Sequence, residues 1–177
     1  MQHTQDCLIC GSHLIYSEES KGVDCYYCRG RFSAPIYCSM GHFVCDACHS
    51  LGATDIIRTA CLMTKSNDPI AIAKDLMYHP AVKLHGPEHH FLIPAVLLTT
   101  YSKAKKIPEK LPVMLEEATL RAKHVQGGFC GYYGCCGAAM GVGIFFSIVS
   151  AATPLSIGEW QIANLATAET LKEIALA

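Results

Sequence analysis

The sequence contains few charged residues and no excess of either sign. Only 16% of the 177 residues are charged, with 14 Lys and Arg against 15 Asp and Glu, so the formal net charge is −1. Such a chain lacks the broad positive field that attracts nucleic acid or anionic lipid, and it therefore carries no strong nucleic-acid signal. The hydrophobic content of 51% excludes a mainly disordered chain.

The sequence also shows no visible secretory signal and no long hydrophobic run. Residues 1–6 are polar and lead directly into Cys7, without the basic and apolar segments of a secretory signal. The apolar stretch at residues 138–152 is shorter than the roughly 20 residues that a membrane span needs, and two glycines interrupt it. We therefore expect a cytoplasmic protein without a membrane span, in which residues 138–152 form a buried central helix.

Cysteine, by contrast, is abundant. The chain has 11 cysteines, and seven of them lie between Cys7 and Cys48. In a reducing compartment, paired cysteines are more often metal ligands or redox groups than disulfides, and an odd number fits poorly with a closed disulfide framework.

The composition changes near residue 50. Residues 7–49 have too few aliphatic side chains for a core of their own and would need metal to fold, whereas residues 53–177 read as helices separated by proline and glycine. We predict a zinc-binding module at residues 1–50 and an α-helical domain at residues 51–177. The expected fold is mainly α: a small zinc-ribbon or cross-brace module with short β-hairpins, followed by a compact helical domain.

Several helix starts can be predicted from capping residues. Thr54 or Asp55 could cap the first helix, and Asp68, which precedes a proline, has the pattern of an N-cap. Ser156, with a glutamate three residues further on, predicts a capping box at the start of the last helix.

Two Cys-x-x-Cys turns and one Cys-x3-His-x2-Cys-x2-Cys segment supply eight metal ligands. Each turn aims two thiolates at one point about 2.3 Å away, and the glycine close behind lets backbone amides face the sulfurs. Two zinc ions are the default, although iron also suits four thiolates. His49 could replace the last cysteine. The predicted ligands are Cys7, Cys10, Cys25, Cys28, Cys38, His42, Cys45 and Cys48.

The spacing leaves the pairing of these ligands open. A tandem arrangement joins the first four ligands and then the last four. A cross-brace joins the first Cys-x-x-Cys turn with Cys38 and His42, and the second turn with Cys45 and Cys48. In either case protein ligands fill two tetrahedral sites and leave no open position for a substrate, which predicts a structural role.

A second cysteine cluster lies in a glycine-rich segment, residues 127–141. Cys130, Cys135 and Cys136 share these fifteen residues with six glycines, and an apolar helix follows. The free amides and dipole of a helix N-terminus stabilise anions and lower thiol pKa values. The segment could hold an activated thiolate, an iron–sulfur cluster or other metal, or an anionic ligand; close glycine packing around inert cysteines is the alternative. Cys61, an isolated cysteine, is interpreted as a core residue.

Three histidines lie in one loop of the helical part. His85, His89 and His90 are candidates for a further cluster ligand or a proton donor, and Glu88 could act as an acid or base. Pro94 cannot bond the carbonyl of His90, so a helix either starts after His90 or is kinked there. If this helix and the one after the cysteines run in the same direction, the histidine loop lies against the cysteine segment; this is the arrangement we expect.

Three motifs resemble a known but uncharacterised family. They are Cys38-x3-His42-Phe-Val-Cys45-Asp-Ala-Cys48-His49, Gly86-Pro87-Glu88-His89-His90, and Gly128-Phe-Cys130-Gly-x-x-Gly-x-Cys136-Gly-Ala-Ala. The chain resembles the domain-of-unknown-function family numbered 5714. The resemblance implies a small cysteine-rich protein of anaerobic bacteria and archaea, and it supplies no established reaction. The third motif is also loosely similar to redox proteins with a Gly-Cys-Ala-x-x-Gly motif, but no cysteine follows Cys136.

The leading hypothesis is a metal-binding protein with a structural two-zinc module and a C-terminal redox, cluster-binding or thiol-transfer site. An enzyme of this kind would carry out redox chemistry or transfer sulfur or one-carbon groups, with a protein or redox partner or a small-molecule substrate. The catalytic candidates are Cys130, Cys135, Cys136, Glu88, His89 and His90. The candidates for cofactor binding are Cys130, Cys135, Cys136 and His85.

The alternative hypothesis is a non-enzymatic adaptor. Its zinc module would bind a partner protein or RNA through a basic and aromatic surface. The residues that favour this reading are Tyr26, Tyr27, Arg29, Arg31 and Phe32.

Overall fold

The structure is a computed structural model and describes residues 7, 9–45, 48, 52–82 and 86–177. A two-stranded sheet, followed by helices, confirms the mainly α fold with an N-terminal hairpin. The strands are β1 (Leu14–Asp24) and β2 (Arg31–Cys38). The helices are α1 (Ala53–Met63), α2 (Pro69–Met77), α3 (Glu88–Ala104), α4 (Leu111–Lys123), α5 (Phe129–Tyr133), α6 (Gly137–Val149) and α7 (Gly158–Leu176), with a short 3₁₀ turn at Pro108–Lys110 before α4.

The hairpin brings distant cysteines together. β1 and β2 are antiparallel, with Leu14 opposite Cys38 and Asp24 opposite Arg31, and a bulge lies between Tyr16 and Lys21. Because β1 begins just after the first Cys-x-x-Cys turn and ends just before the second, the strand pairing determines which later ligands each turn meets.

The predicted cap of α2 is confirmed, whereas those of α1 and α7 are wrong. Asp68 accepts a hydrogen bond of 2.9 Å from the N–H of Ile70. Helix α1 starts after Gly52, which has no side chain to cap it. The N–H groups of Asp55 and Ile56 donate to the Gly52 carbonyl. The Ser156 hydroxyl instead donates to the carbonyl of Thr153, at 2.8 Å, and α7 begins two residues later.

Helix α3 begins at Glu88 and runs through Pro94, so of the two predicted alternatives the start after His90 is wrong. Gly141 of α6 lies against the segment where Pro94 removes a backbone hydrogen bond. A Cβ added to Gly141 would lie 2.9 Å from Pro94 Cδ and 3.3 Å from the His90 carbonyl oxygen. The proline surface therefore requires a glycine on the neighbouring helix.

Helices α3 and α6 run in the same direction. Gly137 at the start of α6 meets His90, Gly141 meets Pro94, and the rings of Tyr101 and Phe145 are 5.8 Å apart. Successive residues of α3 therefore contact successive residues of α6 in the same order along the chain. The N-terminal ends of both helices lie at the same end of the bundle, as expected from the sequence.

Helix α6 is only half-buried, in contrast to the fully buried helix expected. Its buried positions are Gly137, Ala139, Gly141 and Gly143. Gly137 and Gly141 lie against α3, and Gly143 lies against α7. None of the described helices is both long and apolar enough to cross a membrane.

A single core joins the metal module to the helices. Cys25, Tyr27 and Cys48 belong to the same buried cluster as Ile56 of α1 and Leu92 of α3. Within this core the Tyr27 ring meets the His79 ring edge-on, with 4.6 Å between centroids.

The α2 cap predicts a measurable loss of stability. Asp68→Ala should lower the free energy of unfolding by about 1 kcal/mol, because the N–H of Ile70 loses its acceptor. Urea unfolding followed by circular dichroism measures this change. Asn67→Ala, at the exposed neighbouring position, is the control, and an equal loss there would contradict the capping role.

Candidate metal centres and cysteine turn

Both Cys-x-x-Cys segments form the same tight turn. The N–H of Gly11 donates to the Cys7 carbonyl at 2.8 Å, and the N–H of Arg29 donates to the Cys25 carbonyl at 2.9 Å. Both donors have a left-handed backbone, with φ of 68° at Gly11 and 58° at Arg29. The second turn thus places an arginine where the first uses glycine, at a cost of roughly 1–2 kcal/mol.

The eight predicted ligands form two groups in a cross-brace. The first Cys-x-x-Cys turn joins Cys38 and His42, and the second joins Cys45 and Cys48. Within each group the ligand atoms all lie within 4.8 Å of one another. The tandem alternative does not match this geometry. His49 lies outside the described residues, and Cys48 occupies the position that His49 could have taken.

The separations within each group suit one tetrahedral metal ion. Two sulfurs bound to one zinc at 2.3 Å are about 3.8 Å apart. The sulfurs of Cys10 and Cys38 are 3.6 Å apart, and those of Cys28 and Cys45 are 3.8 Å apart. His42 Nδ1 lies 3.3 Å from the Cys10 sulfur and 3.9 Å from the Cys7 sulfur. Both groups can therefore hold a metal ion.

The two sites differ in burial. We call the group with His42 the distal site and the all-cysteine group the proximal site. Cys10 of the distal site is exposed, whereas Cys25, Cys45 and Cys48 of the proximal site lie in the core shared with the helices. Loss of the proximal metal should therefore disturb the helical domain more than loss of the distal one.

Ionisation of all four thiols of the proximal site is unfavourable when no cation is bound. Burial raises the pKa of Cys45 and Cys48, and neighbouring thiols raise that of Cys48 further. Burial also acts against ionisation of Cys25, but N–H groups of Cys45, Cys28 and Tyr27 lower its pKa to about 7. A bound cation offsets the effect of burial and of the neighbouring thiols, because its positive charge stabilises all four thiolates together.

Cys130 lies in α5, and Cys135 and Cys136 lie between α5 and α6; we call these three residues together the cysteine turn. Helix α5 ends at Gly134, whose φ is 67°, and the N–H of Cys135 donates to the Phe129 carbonyl at 3.2 Å. Cys136 is the N-cap residue of α6, in an extended conformation. The predicted position of a thiol at a helix N-terminus is therefore present. Cys130 is exposed, and Cys135 and Cys136 are half-buried.

His90 lies directly against the cysteine turn. A Cβ added to Gly137, the residue after Cys136, would overlap the Nε2 edge of the His90 ring. On its other side, His90 Nδ1 lies 3.0 Å from the Val125 carbonyl oxygen. A carbonyl can only accept, so Nδ1 carries the proton and Nε2 of the neutral ring keeps its lone pair.

The other predicted members of this site are placed differently. Glu88 lines a pocket between α1, α3 and α4, together with Ala53 and Lys123. His89 is half-buried in the first turn of α3, and His85 lies outside the described residues. Of the histidine loop, His90 is the residue that the structure brings against the cysteine turn.

The cysteine turn does not have the geometry of the two metal sites. Among the described residues, Cys130, Cys135 and Cys136 belong to no group of three or more ligands whose atoms lie within 4.8 Å of one another. The turn is therefore not arranged for a single tetrahedral ion.

Sequence reasoning identified Cys61 correctly and missed Val125. Cys61 is fully buried, and burial raises its pKa to about 11. Val125 acts through its backbone carbonyl, so its side chain gave no signal. Only the proximity of the end of α4 to the start of α3 shows that this carbonyl orients His90.

Comparison with known proteins identifies one similarity. The model of a family of unknown function, DUF5714, matches residues 57–177. The match includes the histidine loop and the cysteine turn, whereas the motif from Cys38 to His49 lies before it. No curated protein and no solved structure matches the chain.

The cross-brace predicts which pairs of substitutions share a metal. Cys10→Ser with Cys38→Ser should remove about one metal equivalent, because both ligands belong to the distal site. Cys10→Ser with Cys25→Ser should remove both metals. Metal content by inductively coupled plasma mass spectrometry on the purified variants measures the difference.

The two pairs serve as controls for each other, since each removes two cysteines. A tandem arrangement would give the reverse result, with both metals lost in the first variant and one in the second. Cys61→Ser, in the helical core, should retain both metals.

Proposed function

Because the chain belongs to the DUF5714 family, whose function is unknown, we propose its function from site geometry: a thiol-based redox or group-transfer protein with two structural zinc ions. The reactive groups are the thiols of the cysteine turn, and His90 is the proton acceptor. The metal module supports the helical domain and takes no part in the reaction.

Zinc suits both metal sites. Thiolate and imidazole ligands with separations near 3.8 Å match tetrahedral zinc, and four protein ligands fill each site. No coordination position remains for a substrate. Iron in the proximal site is the competing assignment, and elemental analysis distinguishes the two metals.

The position of His90 is the observation that carries the thiol proposal. Its Nδ1–H is held by the Val125 carbonyl, and its Nε2 edge faces the residue next to Cys136. A cysteine nucleophile needs a base whose tautomer is fixed, and His90, with its Nε2 edge against the residue that follows Cys136, is the described histidine best placed to serve the cysteine turn in this way. The Val125 carbonyl also stabilises the imidazolium that forms when His90 takes the thiol proton.

Helix α6 supplies the second contribution. Cys136 is its N-cap residue, and although the Cys136 side chain makes no capping hydrogen bond, the first N–H groups of the helix have no partners inside the helix. The free amides and the dipole of a helix N-terminus stabilise bound anions, and this is the second support for the proposal. In the proposed reaction the S–H proton passes to His90 Nε2, and the thiolate attacks one sulfur of a disulfide substrate in a reducing, cytoplasmic setting. The new S–S bond forms as the S–S bond of the substrate breaks, and the departing thiolate takes the proton from His90.

His90→Gln should slow alkylation of the cysteine turn by about tenfold or more, because glutamine retains a donor for the Val125 carbonyl but provides no base. Iodoacetamide labelling of the metal-loaded protein at neutral pH, followed by peptide mass spectrometry, measures the rate at each cysteine. Cys61 should react most slowly, since it is buried with a pKa of about 11.

His124→Gln, at an exposed position after α4, is the matched control and should leave the rate unchanged. Equal rates in the two variants, or faster labelling of Cys61 than of the turn, would refute the proposal. A brown protein with charge-transfer absorption after anaerobic purification would show that the cysteines bind an iron–sulfur cluster, and the free-thiol proposal would then be wrong.

A groove on the metal module favours the adaptor function as a second candidate. It has a volume of about 400 Å³ and is lined by Lys21, Tyr26, Arg29, Tyr37 and His42, among others. Lys21 lies 5.3 Å from the Tyr37 ring, and Arg29 lies 5.2 Å from the Tyr26 ring. Cations over aromatic rings in one groove suit a single-stranded RNA backbone with stacked bases.

Lys21→Ala should weaken binding of a fluorescent single-stranded RNA, measured by anisotropy. The matched control is Lys105→Ala, which removes a lysine lying 5.9 Å from the Tyr101 ring on the helical domain. Absence of RNA binding by the unmodified chain, or equal weakening in both variants, would remove this candidate.

A further inference from the structure

The cysteine turn holds three thiols, and the reaction proposed above requires only one of them. When a thiolate attacks a disulfide substrate, the product is a mixed disulfide between the protein and one half of the substrate. A second protein thiol within reach of the first resolves this mixed disulfide and releases the bound half. The backbone around α5 indicates which two of Cys130, Cys135 and Cys136 can act together in this way.

A backbone hydrogen bond keeps Cys130 and Cys135 close together. The N–H of Cys135 donates to the carbonyl oxygen of Phe129 at 3.2 Å, and the carbon of that carbonyl is bonded to the nitrogen of Cys130. With standard bond lengths, the Cα atoms of Cys130 and Cys135 are therefore no more than about 7.5 Å apart. Disulfides join Cα atoms that are roughly 4.4–6.8 Å apart, so this upper limit lies close to the range that a disulfide needs.

Cys136 is less suited to either of the other pairings. Consecutive Cα atoms are about 3.8 Å apart across a trans peptide, which is too short for an unstrained disulfide between Cys135 and Cys136. Cys136 is also the N-cap residue of α6, and the next residue, Gly137, is buried against His90. It lies one residue beyond the hydrogen bond that limits the distance to Cys130. The pairing that the backbone favours is therefore Cys130 with Cys135.

Helix α5 is free to adjust its conformation when this bond forms. Phe129 is half-buried, the other four residues of α5 are exposed, and the ring contact between Phe129 and Tyr133 lies within the helix. Gly128 and Gly134, on either side of α5, both have a left-handed backbone, with φ of 87° and 67°. A segment with few buried contacts changes conformation at a low free-energy cost. The exposed thiol of Cys130 can therefore approach Cys135 while α6 stays in place.

We propose that Cys130 and Cys135 form a reversible disulfide; this inference rests on the proposed function, whose disulfide substrate is the oxidant. The exposed Cys130 thiolate attacks one substrate sulfur and releases the first substrate thiol. The Cys135 thiolate then attacks the Cys130 sulfur, and the second substrate thiol leaves as the Cys130–Cys135 bond forms. Both cysteine protons end on the released thiols, and the substrate gains the two electrons that the cysteines lose. A dithiol reductant must then return the pair to the thiol form.

Reaction of the metal-loaded full chain with one equivalent of 2-hydroxyethyl disulfide tests the pair. The unmodified chain should form the internal disulfide and release about two equivalents of 2-mercaptoethanol. Cys130→Ser and Cys135→Ser should each stop at the mixed disulfide, retain a mercaptoethanol adduct and release about one equivalent. Mass spectrometry of non-reduced chymotryptic peptides measures both products, because cleavage after Tyr133 separates Cys130 from Cys135.

Two further variants complete the test. Cys136→Ser should still form the internal disulfide, which distinguishes the pairing from one that includes Cys136. Cys61→Ser, in the buried core, is the matched control and should give the products of the unmodified chain. A mixed disulfide that persists on the unmodified chain, or an internal bond that includes Cys136, would overturn the pairing and leave the thiol reaction standing. A cysteine turn that does not react with the disulfide would overturn both the pairing and the proposed function.

Discussion

The close approach of α3 and α6 is the contact on which the helical domain and its candidate site depend. Gly137 and Gly141 have no side chains toward α3, so the ring of His90 and the surface around Pro94 occupy that space. The two helices run in the same direction, and their N-terminal ends therefore meet. Any larger residue at either glycine would separate the helices and move His90 away from the cysteine turn.

The metal module depends on a different constraint. Its strands bury few residues, and its stability comes from ligands that the hairpin brings together in a cross-brace. The distal site joins the turn before β1 to residues after β2, and the proximal site joins the turn between the two strands to residues further along the chain. Each site therefore needs the hairpin to be formed. The proximal site also belongs to the core of the helices, which connects metal binding to the stability of the whole chain.

These two constraints separate the cysteines of the metal sites from those of the cysteine turn. The metal-site cysteines have fixed partners at tetrahedral spacing, whereas the cysteine turn lies at a helix start beside one oriented histidine. A zinc ion holds thiolates in an unreactive form when its coordination is complete. The thiols of the cysteine turn belong to no such group among the described residues, which is why we propose them as the reactive ones.

The sequence by itself determined the eight ligands, the Asp68 cap, the core position of Cys61 and the presence of thiols at the start of α6, because each depends on residues close together in the chain. The tertiary structure decided the ligand pairing, since this depends on the register of β1 and β2. It also decided which histidine meets the cysteine turn and that a carbonyl of Val125 orients it. Those contacts join segments tens of residues apart, and their geometry follows from how closely glycine-bearing helices can pack.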